Sequence, residues 1–282
     1  MIETNPPPWL CPVCAHPLIL GNGSFSCASG HLFDLAREGY VNLLLANQKH
    51  SANPGDDRMM SRCRRQFLEQ GYYDALADLV GSCCRSYLTA NPAESVQLLD
   101  IGCGEGYYTQ HIYTCLTDTT TGTMLAGIDI SKEAIRMAAR RYPDLPFAVA
   151  SNSRLPVADG SIDIIYAIFA PSYVPEIVRA LKPGGIFLNV RPESRHLFAL
   201  RQLVYDDAHP HQSRAVLLDG LSHQQETRLS YPITVRQEDI SNLLAMTPYY
   251  WQASREKQQQ IADLAELVTE VDFIVDRYAL AQ

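Results

Sequence analysis

QLLDIGCGEGYYT, residues 97–109, is the stretch whose reading decides the fold of this chain. Leu98, Leu99 and Ile101 form a short apolar run of the kind buried in a parallel sheet, Asp100 sits at its carboxyl end, and from Tyr107 the pattern turns helical. Gly102, Gly104 and Gly106 make the turn between them. Lacking a Cβ, glycine adopts positive φ there and lets a ligand lie directly against the backbone. The spacing is G-x-G-x-G, not the G-x-G-x-x-G of a dinucleotide fold, and the carboxylates of Asp100 and Glu105 flank it. Those charges repel a pyrophosphate and attract a ligand that carries an ammonium and a sulfonium.

A second apolar run, TMLAGIDIS at residues 123–131, ends in Asp129 roughly twenty residues after the glycines, the distance of one βαβ unit. An acid at the tip of that strand can accept both hydroxyls of a ribose, while Ser131 is placed to cap the helix SKEAIRMAARRY. A sulfonium, an ammonium and a ribose together describe S-adenosylmethionine. The segment resembles motif I of the class I methyltransferases, in which this glycine loop holds the methionine part of the cofactor.

The chain has 282 residues, 46% of them hydrophobic, which suits one α/β domain with a small appendage and a sizeable core. No apolar run is long enough to span a bilayer, and the opening MIETNPPPWL lacks the basic and apolar regions of a signal peptide, so no membrane partner is expected and the cytoplasm is the expected compartment. Eight cysteines would stay reduced there, so a close cluster reads as a metal site before a disulfide framework. The net charge of −8 argues against general attraction to nucleic acid and confines any RNA contact to a local basic patch.

Such a cluster stands near the N-terminus. Cys11-Pro-Val-Cys14 and Cys27-Ala-Ser-Gly-His31 flank a hairpin predicted at Gly21-Asn22-Gly23, the pairwise spacing of a tetrahedral zinc site with Cys11, Cys14, Cys27 and His31 as ligands. With four protein ligands the Zn2+ is structural, with no open position for an activated water. So small a lobe cannot bury enough apolar surface alone, and the metal supplies much of its stability.

The segment after the lobe, HLFDLAREGYVNLLLANQKH at residues 31–50, resembles the 23S ribosomal RNA (guanine-N1)-methyltransferases. The similarity runs on through Asn53-Pro-Gly-Asp56, MMSRCRRQFLEQGYYDAL, the glycine loop and Arg195-His196-Leu197, in the order of that family. The resemblance implies methyl transfer from S-adenosylmethionine to N1 of a guanine in a hairpin loop of 23S ribosomal RNA, with a zinc lobe that helps bind the RNA. It implies that Tyr73 and His196 contact the cofactor. The loop 150–156 covers the adenine in many class I methyltransferases, which makes Asn152 and Leu155 candidate cofactor residues beside Asp100, Gly102, Gly104, Glu105, Gly106 and Asp129. It names no catalytic residue; Glu176 is a weak candidate for the base that takes the N1 proton, and which hairpin guanine reacts is left open, as is homodimer formation. Two other functions share parts of the pattern: a small-molecule methyltransferase, and an inactive zinc-bearing protein that binds RNA.

The rest of the chain is read from pattern. Lys49, Arg58, Arg62, Arg64 and Arg65 outnumber Asp56 and Asp57, and Arg58, Arg62 and Arg65 share a helix face that could follow a phosphate backbone. Gly71 stops that helix, and residues 74–90 form the next, with Cys83 and Cys84 as core or inert thiols. Strands are expected at 147–150, 162–169 and 185–190, a helix at 195–207, and closing strands at 227–235 and 267–278. Phe169-Ala-Pro171 ends the fourth strand as the rim of the guanine pocket, and it lacks the Asn-Pro-Pro-Tyr signature of exocyclic amine methylases. Met246 to Trp251 offers aromatic faces for a base or for the core. The expected fold is a class I methyltransferase, Rossmann-like and doubly wound, with a seven-stranded sheet ending in an antiparallel hairpin. The expected division is 1–36 zinc lobe, 37–72 linker and basic helix, 73–282 methyltransferase domain.

Overall fold

The computed structural model describes residues 8–46, 58–116, 122–210 and 217–281; Lys49, Asn53-Pro-Gly-Asp56, Asp57 and His211 lie outside them. A small antiparallel sheet of β1 (Ile19–Gly21), β2 (Ser24–Ser26) and β3 (Leu32–Asp34) forms the N-terminal lobe. There follow β4 (Val41–Asn42), α1 (Arg58–Leu68), α2 (Asp74–Ala90), β5 (Val96–Ile101), α3 (Tyr107–Leu116), β6 (Thr123–Asp129), α4 (Lys132–Arg141), β7 (Phe147–Val149), β8 (Ile162–Ile168), α5 (Val174–Ala180), β9 (Leu181–Pro192), α6 (Phe198–Val204), β10 (Leu221–Arg236), α7 (Gln237–Ala245), α8 (Arg255–Ala262) and β11 (Glu266–Leu280).

The main sheet has the order β10-β11-β9-β8-β5-β6-β7-β4. The strands from β9 to β4 are parallel, and β11 runs antiparallel to both β9 and β10. This corrects the expected seven strands to eight. The extra strand is Val41–Asn42, which pairs parallel with Ala148 and Val149 and covers the edge of β7, with Val41 fully buried. Two residues are too few to carry an alternation signal. The expected helix at 195–207 is shorter, because Leu197 takes φ 51 and starts α6 only at Phe198. The Lys182-Pro-Gly-Gly turn is absorbed into β9 as a bulge, since Ile162 pairs with Leu181 but Ile164 pairs with Ile186.

Strand order reverses at β5, with β6 on one side and β8 on the other. Open α/β sheets bind ligands at the carboxyl ends of the strands at such a switch point, which is where the glycine loop leaves β5. Every residue of β8 is buried, as a strand covered on both faces must be. The lobe is docked onto this sheet. Trp9 is 2% exposed and shares a core with Leu155 and Val157, and the Leu10 N–H donates to the Pro156 carbonyl at 2.8 Å. At the other edge Asp272 and Asp276, both fully buried on β11, accept from Arg228 and from Arg191 and His223. Unpaired buried carboxylates would cost several kcal/mol each, so these pairs fix the closing hairpin.

Candidate cofactor and zinc sites

Gly102, Gly104 and Gly106 take φ 76, 57 and 83, the left-handed conformations that the spacing anticipates. They differ in surroundings. A Cβ on Gly102 would stand 2.4 Å from the Cβ of Ala170, so this glycine lets the loop press against the end of β8. A Cβ on Gly104 would meet nothing nearer than Arg64 Nη1 at 3.9 Å, so the space over Gly104 is open to a ligand.

The acids around the loop have distinct tasks. Asp129 Oδ2 accepts the Gly104 N–H at 2.9 Å and Oδ1 accepts the Ser131 N–H at 2.7 Å, tying the tip of β6 to the loop and to the start of α4. A carboxylate has about four acceptor positions, so this role is compatible with holding ribose hydroxyls. Ser131 caps α4 by accepting from the Ala134 N–H. Asp100 is 2% exposed and accepts the Thr109 hydroxyl at 2.7 Å, behind the loop. Burial pushes its carboxyl up to about 7, opposed by the Thr109 hydrogen bond and assisted by the charges of Asp129 and Glu105. Glu105 is buried as well, at 4% exposure. A buried pair of acids of this kind suits a cationic ligand, which favours their charged forms.

Asn152 reaches the same place, its Nδ2 donating to the Pro171 carbonyl at 2.8 Å and lying 3.9 Å from the Gly102 Cβ position. Leu155 is buried, its N–H donating to Glu176 Oε2 at 2.7 Å. Glu176 also accepts from Arg179 at 2.9 and 2.8 Å, so its carboxylate holds the loop in position rather than facing a substrate.

Tyr73 and His196 form a second group at the carboxyl edge. Tyr73 is 2% exposed, its hydroxyl 3.5 Å from His196 Nε2, and burial raises its phenol far above the ordinary range. His196 Nδ1 accepts the Asp272 N–H at 3.3 Å, which leaves the hydrogen of the neutral ring on Nε2. Its ring lies 6.0 Å from Phe169 and 4.8 Å from Phe273. Phe169 is the feature that pattern reading could not supply in full: it is 42% exposed and held at φ 56, a strained conformation for a residue with a Cβ, at the strand end next to Ala170. Arg64 was legible only as one of several basic residues, yet it alone of that helix is found against Gly104. In the 246–251 segment Tyr249 joins the core, whereas Trp251 is 62% exposed. His209 and His223 pair with Asp207 and Asp276. Cys84 is buried in the core and Cys83 packs against it, both thiols raised by burial.

In the lobe, His31 Nδ1 lies 3.5, 3.5 and 3.4 Å from the sulfurs of Cys11, Cys14 and Cys27, and Cys14 and Cys27 sulfurs are 3.6 Å apart. Tetrahedral zinc, with bonds of about 2.3 Å to sulfur and 2.0–2.1 Å to nitrogen, has edges of about 3.6–3.8 Å, so the four atoms fit the ion. His16 approaches Cys14 at 3.5 Å but bonds Ser29 at 3.0 Å and stays outside the four.

The switch-point loop, the acid of β6, the antiparallel closing hairpin and the tetrahedral Cys3His lobe define an S-adenosylmethionine-dependent methyltransferase of class I that carries a structural zinc ribbon. The chain is 33% identical to the 23S rRNA (guanine(748)-N(1))-methyltransferase of Streptomyces fradiae, covering 95% of each chain, and 33% identical to YxjB of Bacillus subtilis, named for the same type of reaction, covering 94% of this chain and 95% of that one. It belongs to the family of 23S rRNA (guanine-N1)-methyltransferases. A zinc-ribbon family model described as "RlmA, N-terminal" matches residues 9–52, and one described as "Methyltransferase domain" matches residues 99–189. A relative from Micromonospora griseorubida is 30% identical over 92% of both chains. Among the described residues no helix is long and apolar enough to cross a membrane.

Proposed function

We propose that this protein transfers a methyl group from S-adenosylmethionine to N1 of a guanine in a hairpin loop of 23S ribosomal RNA. The observation that carries the reading is the pairing, in one chain, of the open glycine cradle at Gly104 and Asp129 with a zinc lobe, across nearly the full length of relatives named for that reaction. S-adenosylmethionine, when bound, supplies a methyl group activated by its sulfonium. The chain's own residues bind and align it. Gly102, Gly104 and Gly106 admit the methionine part, Asp100 and Glu105 are acids whose charged forms a bound cation favours, Asp129 accepts the ribose hydroxyls, and Asn152 and Leu155 flank the adenine. Tyr73 and His196 border the cofactor on the side of β11.

Alignment of nucleophile and methyl group supplies most of the rate. Phe169, exposed and held at the carboxyl edge, offers a face on which the target base can stack once turned out of its loop. The Nε2–H of His196 faces the Tyr73 hydroxyl at 3.5 Å and is a donor, so this ring is not the base, and the N1 proton passes to solvent water as the methyl group is transferred.

The division into 1–36, 37–72 and 73–282 is a division of labour among zinc lobe, basic helix and transfer domain, in which Val41–Asn42 of the middle part lends one strand to the sheet. The compartment is the cytoplasm. Beside 23S ribosomal RNA, the proposed partner is a second copy of the chain, checked by light scattering. The activity is tested by transfer of labelled methyl from S-adenosylmethionine to an unmethylated 23S hairpin and to a panel of small molecules, with reverse-transcriptase stops to locate the guanine. Labelling of a small molecule alone favours the small-molecule enzyme, and cofactor binding without turnover on any RNA favours an inactive RNA-binding protein.

A further inference from the structure

The arginine face of α1 does not meet open solvent alone. It opposes α4 across a groove of about 1300 Å³ whose walls are Arg58, Arg62 and Arg65 on one side and Arg136, Arg140 and Arg141 on the other. Arg58, Arg62 and Arg65 on α1 and Arg136 and Arg140 on α4 recur at helical spacing, with Arg141 beside Arg140 at the end of its helix. Six arginines face Glu69 and Glu133, with Glu38 behind Arg136 at 3.7 Å, a local charge of +3 in a chain whose net charge is −8. The glutamates hold the walls in register. Glu133 pairs with Arg58 at 3.4 Å and Arg136 at 2.8 Å, and Glu69 with Arg65 and Arg141, both at 2.8 Å. Among the described residues the ion pairs of the groove do not include Arg62 or Arg140, and Arg62 acts on Glu133 only through its charge.

The groove exceeds the roughly 300–1,000 Å³ of small-molecule pockets, and six guanidiniums stand in it beside Met59, Cys63 and Met137. It is also anchored to the transfer site at both walls. α4 begins just after Asp129 and its cap Ser131, and Arg64, on another face of α1, lies against Gly104. A polyanion seated in the groove would therefore run to the edge of the cofactor cradle.

We propose that α1 and α4 together form a track for the phosphodiester backbone of the RNA beside its target guanine, with Arg62 and Arg140 as the arginines that take phosphates first. The proposal rests on the RNA substrate inferred above and adds the methyltransferase domain's own helix to the RNA surface. Arginine forks suit phosphate oxygens.

The test uses the full zinc-loaded chain and a fluorescent, unmethylated 23S hairpin fragment, with affinity read by anisotropy over a range of salt. Each arginine that neutralises a phosphate contributes about 0.7 to the slope of log affinity against log salt for single strands. Arg62→Ala and Arg140→Ala are expected to lower the slope by about 0.7 each and the double variant by about 1.4, while Arg140→Lys keeps the parental slope. Affinity for S-adenosylmethionine, read by calorimetry, stays at the parental value in all of them and reports an intact fold. A parent that binds the fragment while Arg140→Ala and the double variant keep its slope overturns the track alone. A parent that does not bind the fragment overturns the substrate assignment itself, and the track with it.

Discussion

Replacing Gly104 with alanine separates the fold from the cofactor. At φ 57 a side chain costs about 1–2 kcal/mol of backbone strain, and no clash is added, since the nearest atom is Arg64 Nη1 at 3.9 Å. For a chain of this size the strain lowers the melting temperature by roughly 2–8 °C. The new methyl group then stands where the methionine part of the cofactor is to lie. Forcing a methyl into a filled site costs about 1–3 kcal/mol, which is roughly 5- to 150-fold in affinity. Thermal unfolding without ligand and calorimetric titration with S-adenosylmethionine measure the two effects apart. Gly102→Ala is the control: its Cβ would stand 2.4 Å from Ala170, so it should lose more stability than Gly104→Ala before any ligand is added. A Gly104→Ala protein that melts as expected but binds S-adenosylmethionine within about twofold of the parent would refute the cradle.

Asp129→Asn removes the charge and one of two acceptors, so affinity for S-adenosylmethionine should fall by an amount near that of hydrogen bonds to a charged group, roughly 1.5–3 kcal/mol each; unchanged calorimetric affinity would refute the ribose assignment. Asp100 is raised from its ordinary 3.8 to about 7 by burial, so between those values the folded chain holds a proton that the unfolded chain has lost. Stability should therefore decline as pH rises through that window, and Asp100→Asn, which can still accept from Thr109, should flatten the decline in denaturant midpoints measured across it. Of the two tryptophans, Trp9 is 2% exposed under the lobe and Trp251 is 62% exposed, so stripping zinc with a chelator should shift tryptophan emission to the red as Trp9 meets water. Emission that stays put while the metal leaves would show that apolar docking alone holds the lobe.

The sequence by itself determined the parts of this protein whose chemistry is local. A glycine that must take positive φ, a strand that ends in an acid, a serine that caps the next helix and two pairs of soft ligands around a turn each need particular residues at fixed spacing. Gly102 to Gly106, Asp129, Ser131, Cys11, Cys14, Cys27 and His31 were legible for that reason. Tertiary structure alone decided what depends on the meeting of distant segments. Val41–Asn42 became a strand because the edge of β7 was open beside it, and no two-residue pattern announces that. Phe169 takes φ 56 where β8 ends, its N–H donating to the Val190 carbonyl and its neighbour Ala170 lying against Gly102, a meeting of three segments. Glu176 was turned from a candidate base into a support by Arg179 and the Leu155 N–H. The arginines of α4, unremarkable as a solvated helix face, gained their meaning when α1 was laid opposite them. Charge acts through space, and a sequence records neighbours only along the chain.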